Sequence, residues 1–294
     1  MLPTIKQLSY LIALAERKSF SKAAEQCFVT QSTLSAGIKE LETILGQDVV
    51  DRQTRAVKLT PLGQEILKTA KRVLAEIDTM MRRAQNTQEP FSLPLRLGVI
   101  PTIAPYLLPD ILPPLKAQYP ALDIHLYEDL TAHLLDKLQA REIDVALMAF
   151  PYENEAIEHS ILFEEPFCLA TSESTLKQKS ITLDFLKDHD ILLLEDGHCL
   201  RDHALQACRL RSSAQKKTFS ATSLATLIQM VSHGYGMTLL PAMAADPASL
   251  PANIKLIPFK SPKPTRQIGL AWRKGDPNRR DYELLAKAIE KVAK

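Results

Sequence analysis

The sequence has few of the features that mark an exported, membrane-bound or cofactor-dependent protein. Its 294 residues contain only four cysteines, and they show neither a glycine fingerprint for dinucleotides nor a phosphate-binding loop. No apolar run approaches the roughly 18 residues that span a bilayer. The N-terminal stretch MLPTIKQLSY lacks a signal-peptide core. We therefore expect a cytoplasmic protein, with no membrane partner and no cofactor, whose thiols are kept reduced.

Charge and composition give little further direction. The net charge of +2 does not by itself indicate a nucleic-acid partner, and the apolar fraction of 46% is typical of a globular chain. A solute-binding transport protein would require export, which the N-terminus does not support. The length allows two or three domains.

Residues 1–60 predict a small helical domain followed by a β-hairpin. Apolar residues from Ile5 to Ala15 mark one face of a first helix, and a second helix covers roughly Ser21–Gln26. Thr30 is a suitable N-cap for a third helix, which Gly46 ends. The alternating stretch that follows predicts a small wing.

Residues 61–86 predict one long helix that begins at Pro61 and carries an apolar stripe. Such a stripe without an adjacent core is typical of a helix that packs against a partner helix, here in a second subunit. Residues 87–94 have the composition of a hinge. From residue 95 to 294, short apolar runs alternate with helical patterns, which predicts parallel β-sheets covered by helices. This region is long enough for one domain or for two lobes.

The third helix has a polar outer face whose side chains suit DNA. Amides, hydroxyls and lysine bind base edges and phosphates, so a second short helix packed across this one would form a helix-turn-helix. The periodicity alone also fits a three-helix packing module with a solvated face. The candidate DNA-binding residues are Gln31, Ser32, Thr33, Ser35 and Lys39 on the helix, with Arg52 and Arg55 on the wing.

The segments SFSKAAE, VTQSTLS, IKELE and LTPLG resemble the LysR-type transcriptional regulators. The resemblance implies a multidomain chain: a winged helix-turn-helix, a long dimerising linker helix, and a C-terminal two-lobed α/β regulatory domain like that of periplasmic binding proteins. Lobe I would comprise about 95–163 and 266–294, and lobe II about 164–265. The family usually binds double-stranded promoter DNA as a dimer of dimers and acts on RNA polymerase.

The segment EDGHCLRDHALQAC places Cys199 and Cys208 nine positions apart. In a reducing compartment such a pair is catalytic, redox-active or metal-binding. His198, Arg201 and His203 could lower the pKa of Cys199 and so favour the reactive thiolate. The spacing H-C-x3-H-x4-C suits tetrahedral zinc poorly, so we expect no metal site. Cys27 and Cys168 lie in segments that predict buried, packing cysteines.

GHCLRD, FSATSL, GMTLLPA and IPTIAPYLLP are similar to the OxyR subgroup of the same family, whose members sense hydrogen peroxide. The resemblance implies that Cys199 is oxidised to sulfenic acid and forms a disulfide with Cys208, which a cellular thiol reductant such as glutaredoxin or thioredoxin reverses. Such a regulator is not an enzyme. Arg266 and Asp202 look like the charged partners that hold the reduced site together. The residues that would orient peroxide or support the thiolate are Thr102, Thr131, His198, Arg201, Asp202, His203 and Arg266.

Three alternatives stay open at the level of sequence. Thr102 and Thr131 could serve only as helix N-caps. The chain could be a metabolite-responsive regulator whose cysteines are incidental, or a thiol peroxidase fused to a DNA-binding module.

The proposed disulfide has a geometric consequence. If residues 199–208 are helical, the two ends of this segment lie about 13.5 Å apart. A disulfide requires Cα atoms within about 7 Å, so the proposed bond requires the segment to unwind.

Overall fold

A computed structural model describes residues 1–51, 57–85, 89–152, 154–172, 176, 178–189, 191–208 and 221–292. The chain divides into two compact units, residues 1–86 with 140–142, and residues 87–139 with 143–294. Each is described by itself. Among the described residues, no helix combines the length and the apolar character that a membrane span requires.

The N-terminal unit is a winged helix-turn-helix, as the sequence predicts. Its helices are α1 (Ile5–Arg17), α2 (Phe20–Gln26), α3 (Gln31–Leu45) and α4 (Pro61–Gln85). Strands β1 (Val50–Asp51) and β2 (Lys58–Leu59) pair antiparallel at the base of the wing. The wing residues 52–56, which include Arg52 and Arg55, lie outside the described residues.

Side-chain caps fix where these helices begin. The hydroxyls of Thr4, Ser19 and Thr30 each accept a hydrogen bond from a backbone N–H in the first turn of α1, α2 and α3. Thr60 does the same for α4, because its Oγ1 accepts from Gly63 N at 3.0 Å. Gly46 ends α3 with a left-handed backbone, φ 71°. The core between the helices is built on Ala23, Ala24, Leu34, Ile38 and Leu41.

The C-terminal unit is an α/β domain with one mixed sheet. Its strands lie in the order β4-β3-β5-β10-β6-β8-β7, and β9 also pairs with β6. The strands are β3 (Leu95–Val99), β4 (Ile124–Glu128), β5 (Val145–Phe150), β6 (Ile157–Thr171), β7 (Ile191–Leu192), β8 (Met237–Pro241), β9 (Lys255–Pro258) and β10 (Thr265–Arg273). The helices are α5 (Ala104–Gln118), α6 (Thr131–Gln139), α7 (Cys199–Ala207), α8 (Leu224–Ser232) and α9 (Arg279–Val292).

The expectation of parallel sheets is wrong for the centre of this sheet. Strand β10 is antiparallel to both β5 and β6, whereas β3 is parallel to its neighbours β4 and β5. The 15-residue strand β6 was not expected, because glutamates and half-buried positions interrupt its apolar residues. A strand that emerges from one core and enters another loses the continuous apolar run that marks a central parallel strand.

Strand β6 crosses between two separate hydrophobic cores. Phe163 packs against the first core, which includes β3, β5, β10, α5 and α9. Phe167, four residues later, belongs to the second core, which includes β8, α8 and one face of α7. The side chains between these two phenylalanines therefore lie at the junction of the two lobes.

Candidate functional site

Cys199 is the first residue of α7, and the preceding turn sets its position. Gly197 has a φ of +97°, a conformation that side-chain-bearing residues rarely adopt. His198 follows with extended backbone as the N-cap residue, and its side chain makes no capping bond. Cys199 as a whole residue is half-buried, and it packs against the first hydrophobic core.

A buried polar cluster centred on Arg266 lies beside this cysteine. The guanidinium of Arg266 is fully shielded from solvent. Its Nε donates to Glu165 Oε2 at 2.7 Å, its Nη1 donates to Thr102 Oγ1 at 3.0 Å, and its Nη2 donates to the Thr102 carbonyl oxygen at 3.2 Å. The second carboxylate oxygen of Glu165, Oε1, accepts from Met243 N at 2.8 Å.

Opposing influences set the acidity of Cys199. Burial is the largest and raises the pKa of the thiol, because it disfavours the charged thiolate. The Thr131 hydroxyl and the positive charge of Arg266 lower that pKa, whereas the carboxylate of Asp202 raises it. Thr131 Oγ1 is buried and makes no hydrogen bond of regular geometry among the described residues. Its one evident interaction is therefore with the thiol.

The two histidines near Cys199 are not the cations that the sequence suggests. His198 and His203 are both buried, and burial lowers the pKa of each imidazole. The charge of Arg266 lowers the pKa of His203 further. Neutral rings are therefore favoured, and the cation that supports the thiolate is Arg266.

Arg201 and Asp202 also differ from the sequence expectation. Arg201 Nη1 pairs with Asp196 Oδ1 at 2.5 Å and lies 3.8 Å from Asp202 Oδ1. The Asp202 side chain is 71% exposed, so it does not hold the buried guanidinium of Arg266. Glu165 takes that role and was missed. The sequence signal is weak, because the adjacent Glu164 and Glu165 interrupt the same apolar run and only Glu165 is buried. A carboxylate in such a run is rarely buried unless it is paired.

Neither threonine acts as a helix cap through its side chain. Ile103 precedes α5 as its N-cap residue, and no side chain caps that helix. The Thr102 hydroxyl accepts from Arg266 instead. Thr131 is the first residue of α6, and among the described residues its buried hydroxyl accepts no hydrogen bond from a backbone N–H.

Cys208 lies in a different environment from Cys199. It is 2% exposed within the second hydrophobic core, and burial raises the pKa of its thiol to about 12. Cys208 N donates to the Ala204 carbonyl oxygen at 3.0 Å, so the helical backbone extends to this residue. A helical rise of about 1.5 Å per residue places the two Cα atoms about 13.5 Å apart.

The other cysteines are less buried than expected. Cys27 and Cys168 are both half-buried. Burial raises the pKa of each thiol, that of Cys168 to about 11. Within the described ranges, no group of three or more histidines, cysteines and carboxylates has the arrangement to hold a metal ion.

The candidate DNA-binding face is on α3. Gln31, Ser32, Thr33 and Lys39 are exposed there, and Ser35 is half-buried. Ser21 Oγ donates to Gln31 Oε1 at 2.8 Å, so α2 orients this glutamine. The hydroxyls of Ser32 and Thr33 lie 2.9 and 2.8 Å from Thr30 Oγ1, and each retains further capacity to donate or accept.

Comparison with known families matches both units of the chain. Residues 5–64 match the bacterial regulatory helix-turn-helix protein model of the lysR family. Residues 88–294 match the LysR substrate binding domain. Among curated proteins, the chain is 40% identical to the DNA-binding transcriptional dual regulator OxyR of Escherichia coli K12, over 97% of this chain and 94% of that protein. It is 39% identical to the hydrogen peroxide-inducible genes activator of Haemophilus influenzae, over 99% and 97%.

Solved structures also match the chain over almost its whole length. A full-length cysteine-to-aspartate variant of OxyR from Pseudomonas aeruginosa superposes with a TM-score of 0.78 at 35% identity, covering 98% of this chain and 95% of that one. A cysteine-to-serine variant of Corynebacterium glutamicum OxyR with bound hydrogen peroxide superposes with a TM-score of 0.67 at 34% identity, covering 100% and 93%.

Proposed function

The chain belongs to the LysR family of bacterial transcriptional regulators, and on that premise we propose that it senses hydrogen peroxide and switches the expression of oxidative-stress genes. Relatives named hydrogen peroxide-inducible genes activator match it over 94% and 97% of their length. The observation that carries the proposal is the position of Cys199, which lies beside a buried arginine and a buried threonine hydroxyl that interacts with its thiol. Cys208 lies at the other end of the same helix.

The first chemical step is oxidation of Cys199. Its thiolate sulfur attacks one oxygen of hydrogen peroxide and the O–O bond breaks. The products are Cys199 sulfenic acid and hydroxide, which takes up a proton to become water. Thr131 and Thr102 offer hydroxyls that donate to and accept from peroxide. Arg266 stabilises the anionic sulfur and the departing oxygen.

The second step joins the two cysteines. The sulfur of Cys208 attacks the sulfur of the Cys199 sulfenic acid, the S–O bond breaks, and water leaves as the disulfide forms. A thiol reductant such as glutaredoxin or thioredoxin then supplies two electrons and two protons to restore both thiols. Each signalling event reduces one peroxide to water and consumes one round of thiol reductant. Its lasting result is the disulfide state of the protein itself, so the role is that of a switch rather than an enzyme.

The proposed switch acts through the way in which subunits assemble on DNA. In our proposal, α3 and the wing bind promoter DNA, and the exposed apolar residues Val73, Met80 and Met81 of α4 pack against a second subunit. Two such dimers form the DNA-bound assembly, which contacts RNA polymerase in the cytoplasm. Disulfide formation requires α7 to unwind, because its ends exceed disulfide reach. The rearranged surface would change how the regulatory domains pair.

Mass spectrometry tests this proposal directly. Reduced protein is treated with a near-stoichiometric dose of hydrogen peroxide, free thiols are alkylated at once, and peptides are analysed without reduction. We expect a Cys199–Cys208 crosslink with the loss of two hydrogens, while Cys27 and Cys168 are alkylated. Full alkylation of Cys199 and Cys208 would overturn the proposal and favour a metabolite-responsive regulator. Sustained peroxide turnover with a thiol reductant would favour a peroxidase.

A further inference from the structure

We propose that Glu165 is a positioning residue for peroxide sensing, which holds the Arg266 guanidinium against Thr102 and Cys199 and ties this cluster to the second lobe. The inference rests on the proposed function, since it concerns the reaction at Cys199. Glu165 is 3% exposed and lies on β6 between the two hydrophobic cores. It touches Arg266 and the backbone of Met243.

The two oxygens of this carboxylate have different partners, and both partners are donors. Oε2 accepts from Arg266 Nε at 2.7 Å, and Oε1 accepts from Met243 N at 2.8 Å. Only a group with two acceptor oxygens satisfies both, because the nitrogen of a glutamine amide donates and cannot accept. A glutamine at this position therefore has to give up one of the two bonds.

The bonds to Arg266 fix the orientation of its guanidinium. Glu165 holds Nε, and Thr102 holds one N–H of each terminal nitrogen. A guanidinium has five N–H groups in a rigid plane, so two remain to face the thiolate or a bound peroxide. Without the Glu165 carboxylate, the buried cation has no ion-pair partner in this cluster while Cys199 is protonated, and an unpaired buried charge is strongly disfavoured. The arginine would then turn away from Cys199.

The bond to Met243 extends the cluster into the second lobe. Met243 lies in the 3₁₀ turn Ala242–Ala244, which directly follows β8. Its side chain packs against the first core, whereas the next residue in the turn, Ala244, belongs to the second. Strand β8 pairs with β6 inside the second core, the core that also contains Cys208. Glu165 thus connects the cation of the Cys199 site to the lobe in which the second cysteine is packed.

The test compares Glu165→Gln with Glu164→Gln. Glu164 is the preceding residue on β6 and is exposed, so the control removes the same charge from the same strand. In full-length protein, the rate of Cys199 oxidation by hydrogen peroxide is measured across pH. We expect Glu165→Gln to lower the rate at neutral pH by at least about tenfold, since a displacement of about 1 Å can cost about 100-fold. Its pH profile should move to higher pH, whereas Glu164→Gln matches the wild type.

Three outcomes separate the interpretations. A wild-type protein that peroxide does not oxidise at Cys199 would refute the proposed function itself. A responsive wild type with equal rates in the two variants would overturn the role of Glu165 alone. Faster oxidation in Glu165→Gln, with a profile moved to lower pH, would also overturn it, because the carboxylate would then only screen Arg266.

A second comparison separates positioning from general structural support, and it does not depend on the folding of the single variant. Glu165→Gln is introduced into an Arg266→Gln background, where no buried cation remains to be compensated. If Glu165 acts through Arg266, the double variant oxidises at the rate of Arg266→Gln, because coupled residues are not additive. A further loss equal to that seen in the wild-type background would overturn the proposal.

Discussion

Cys199 and Cys208 lie at opposite ends of α7 and pack against different hydrophobic cores. Cys199 contacts the core of the first lobe, whereas Cys208 is 2% exposed within the core of the second. A disulfide between them requires Cys208 to leave its core, and removing a buried side chain from a packed core costs free energy. That separation gives oxidation a structural consequence, since the bond cannot form while the helix and both cores stay intact.

Replacing Cys208 should divide the proposed reaction into its two steps. In Cys208→Ser, we expect peroxide to carry Cys199 to a sulfenic acid that persists, because the second thiol is missing. A 1,3-dione probe followed by mass spectrometry detects that product on Cys199. Cys168→Ser is the matched control, since this half-buried thiol also has a raised pKa. It should form the same crosslink as the wild type. Loss of the crosslink in the control would assign the partner role to Cys168.

The hydroxyls of Thr131 and Thr102 should both affect the rate of oxidation, but only that of Thr102 should stabilise the fold. The Thr131 hydroxyl is buried without a regular hydrogen bond, so Thr131→Val should leave the free energy of unfolding unchanged or raise it. The same change removes a group that lowers the pKa of Cys199, so oxidation by peroxide should slow.

Thr102 Oγ1 accepts a hydrogen bond from buried Arg266. Thr102→Val should therefore slow oxidation and also lower the free energy of unfolding by about 1–3 kcal/mol. For both variants, denaturant unfolding measures the free energy of unfolding, and reaction with hydrogen peroxide measures the oxidation rate. Equal destabilisation by the two changes would contradict this distinction.

The sequence predicts the architecture well where local signals and packing agree. Thr30 and Gly46 bound the third helix as expected, because caps are local and depend on few residues. The apolar runs from Leu95 onward correctly indicate strands. The antiparallel direction of β10 is not visible, since the direction of pairing depends on which distant strand it meets.

The candidate site is predicted less completely, for a related reason. Proximity to Cys199 in the sequence favours Arg201 and Asp202, which form ion pairs with Asp196 and with each other near the surface. The charged partner of Arg266 is Glu165, which is 101 positions away along the chain. Periodicity and composition carry no information on such a pairing. A buried carboxylate in a strand indicates that some partner exists, but only the fold identifies it.

The stability of the reduced protein should fall at alkaline pH, and Cys208 should contribute to the decline. Burial raises the pKa of its thiol to about 12 in the folded protein, whereas an unfolded cysteine ionises near 8.5. Between these values the unfolded chain binds fewer protons than the native one, so the free energy of unfolding decreases as pH rises. Below about 8.5 the contribution is fully present.

Urea unfolding of reduced wild type and Cys208→Ala, repeated between about pH 8 and pH 11, measures this contribution. The variant is expected to start less stable, because a buried sulfur is lost, yet to decline less steeply. The difference in slope should approach that of one thiol, about 1.4 kcal/mol per pH unit. Parallel curves would show that Cys208 ionises alike in both states.

Glu42 should hold the wing of the DNA-binding domain to the end of α3. It is 6% exposed, and its Oε1 accepts from both Val49 N at 3.0 Å and Val50 N at 3.1 Å, where β1 begins. Glu42→Ala leaves these two buried donors unsatisfied, at about 1–3 kcal/mol each. Glu42→Gln retains an oxygen that can accept both hydrogen bonds, so the decrease in the free energy of unfolding should be small. Glu40 is exposed on the same helix, which makes Glu40→Ala a control for the lost charge.

Glu42 fixes where the wing leaves α3. Relative to the wild type, Glu42→Ala should therefore lower the affinity for promoter DNA by a larger factor than it lowers the helix content. Fluorescence anisotropy with labelled operator DNA and circular dichroism measure the two effects on the same sample. Glu42→Gln should bind as the wild type does, since the backbone of β1 remains held. If Glu42→Ala and Glu40→Ala bind DNA equally well, the hydrogen bonds to Val49 and Val50 support the fold without directing the wing.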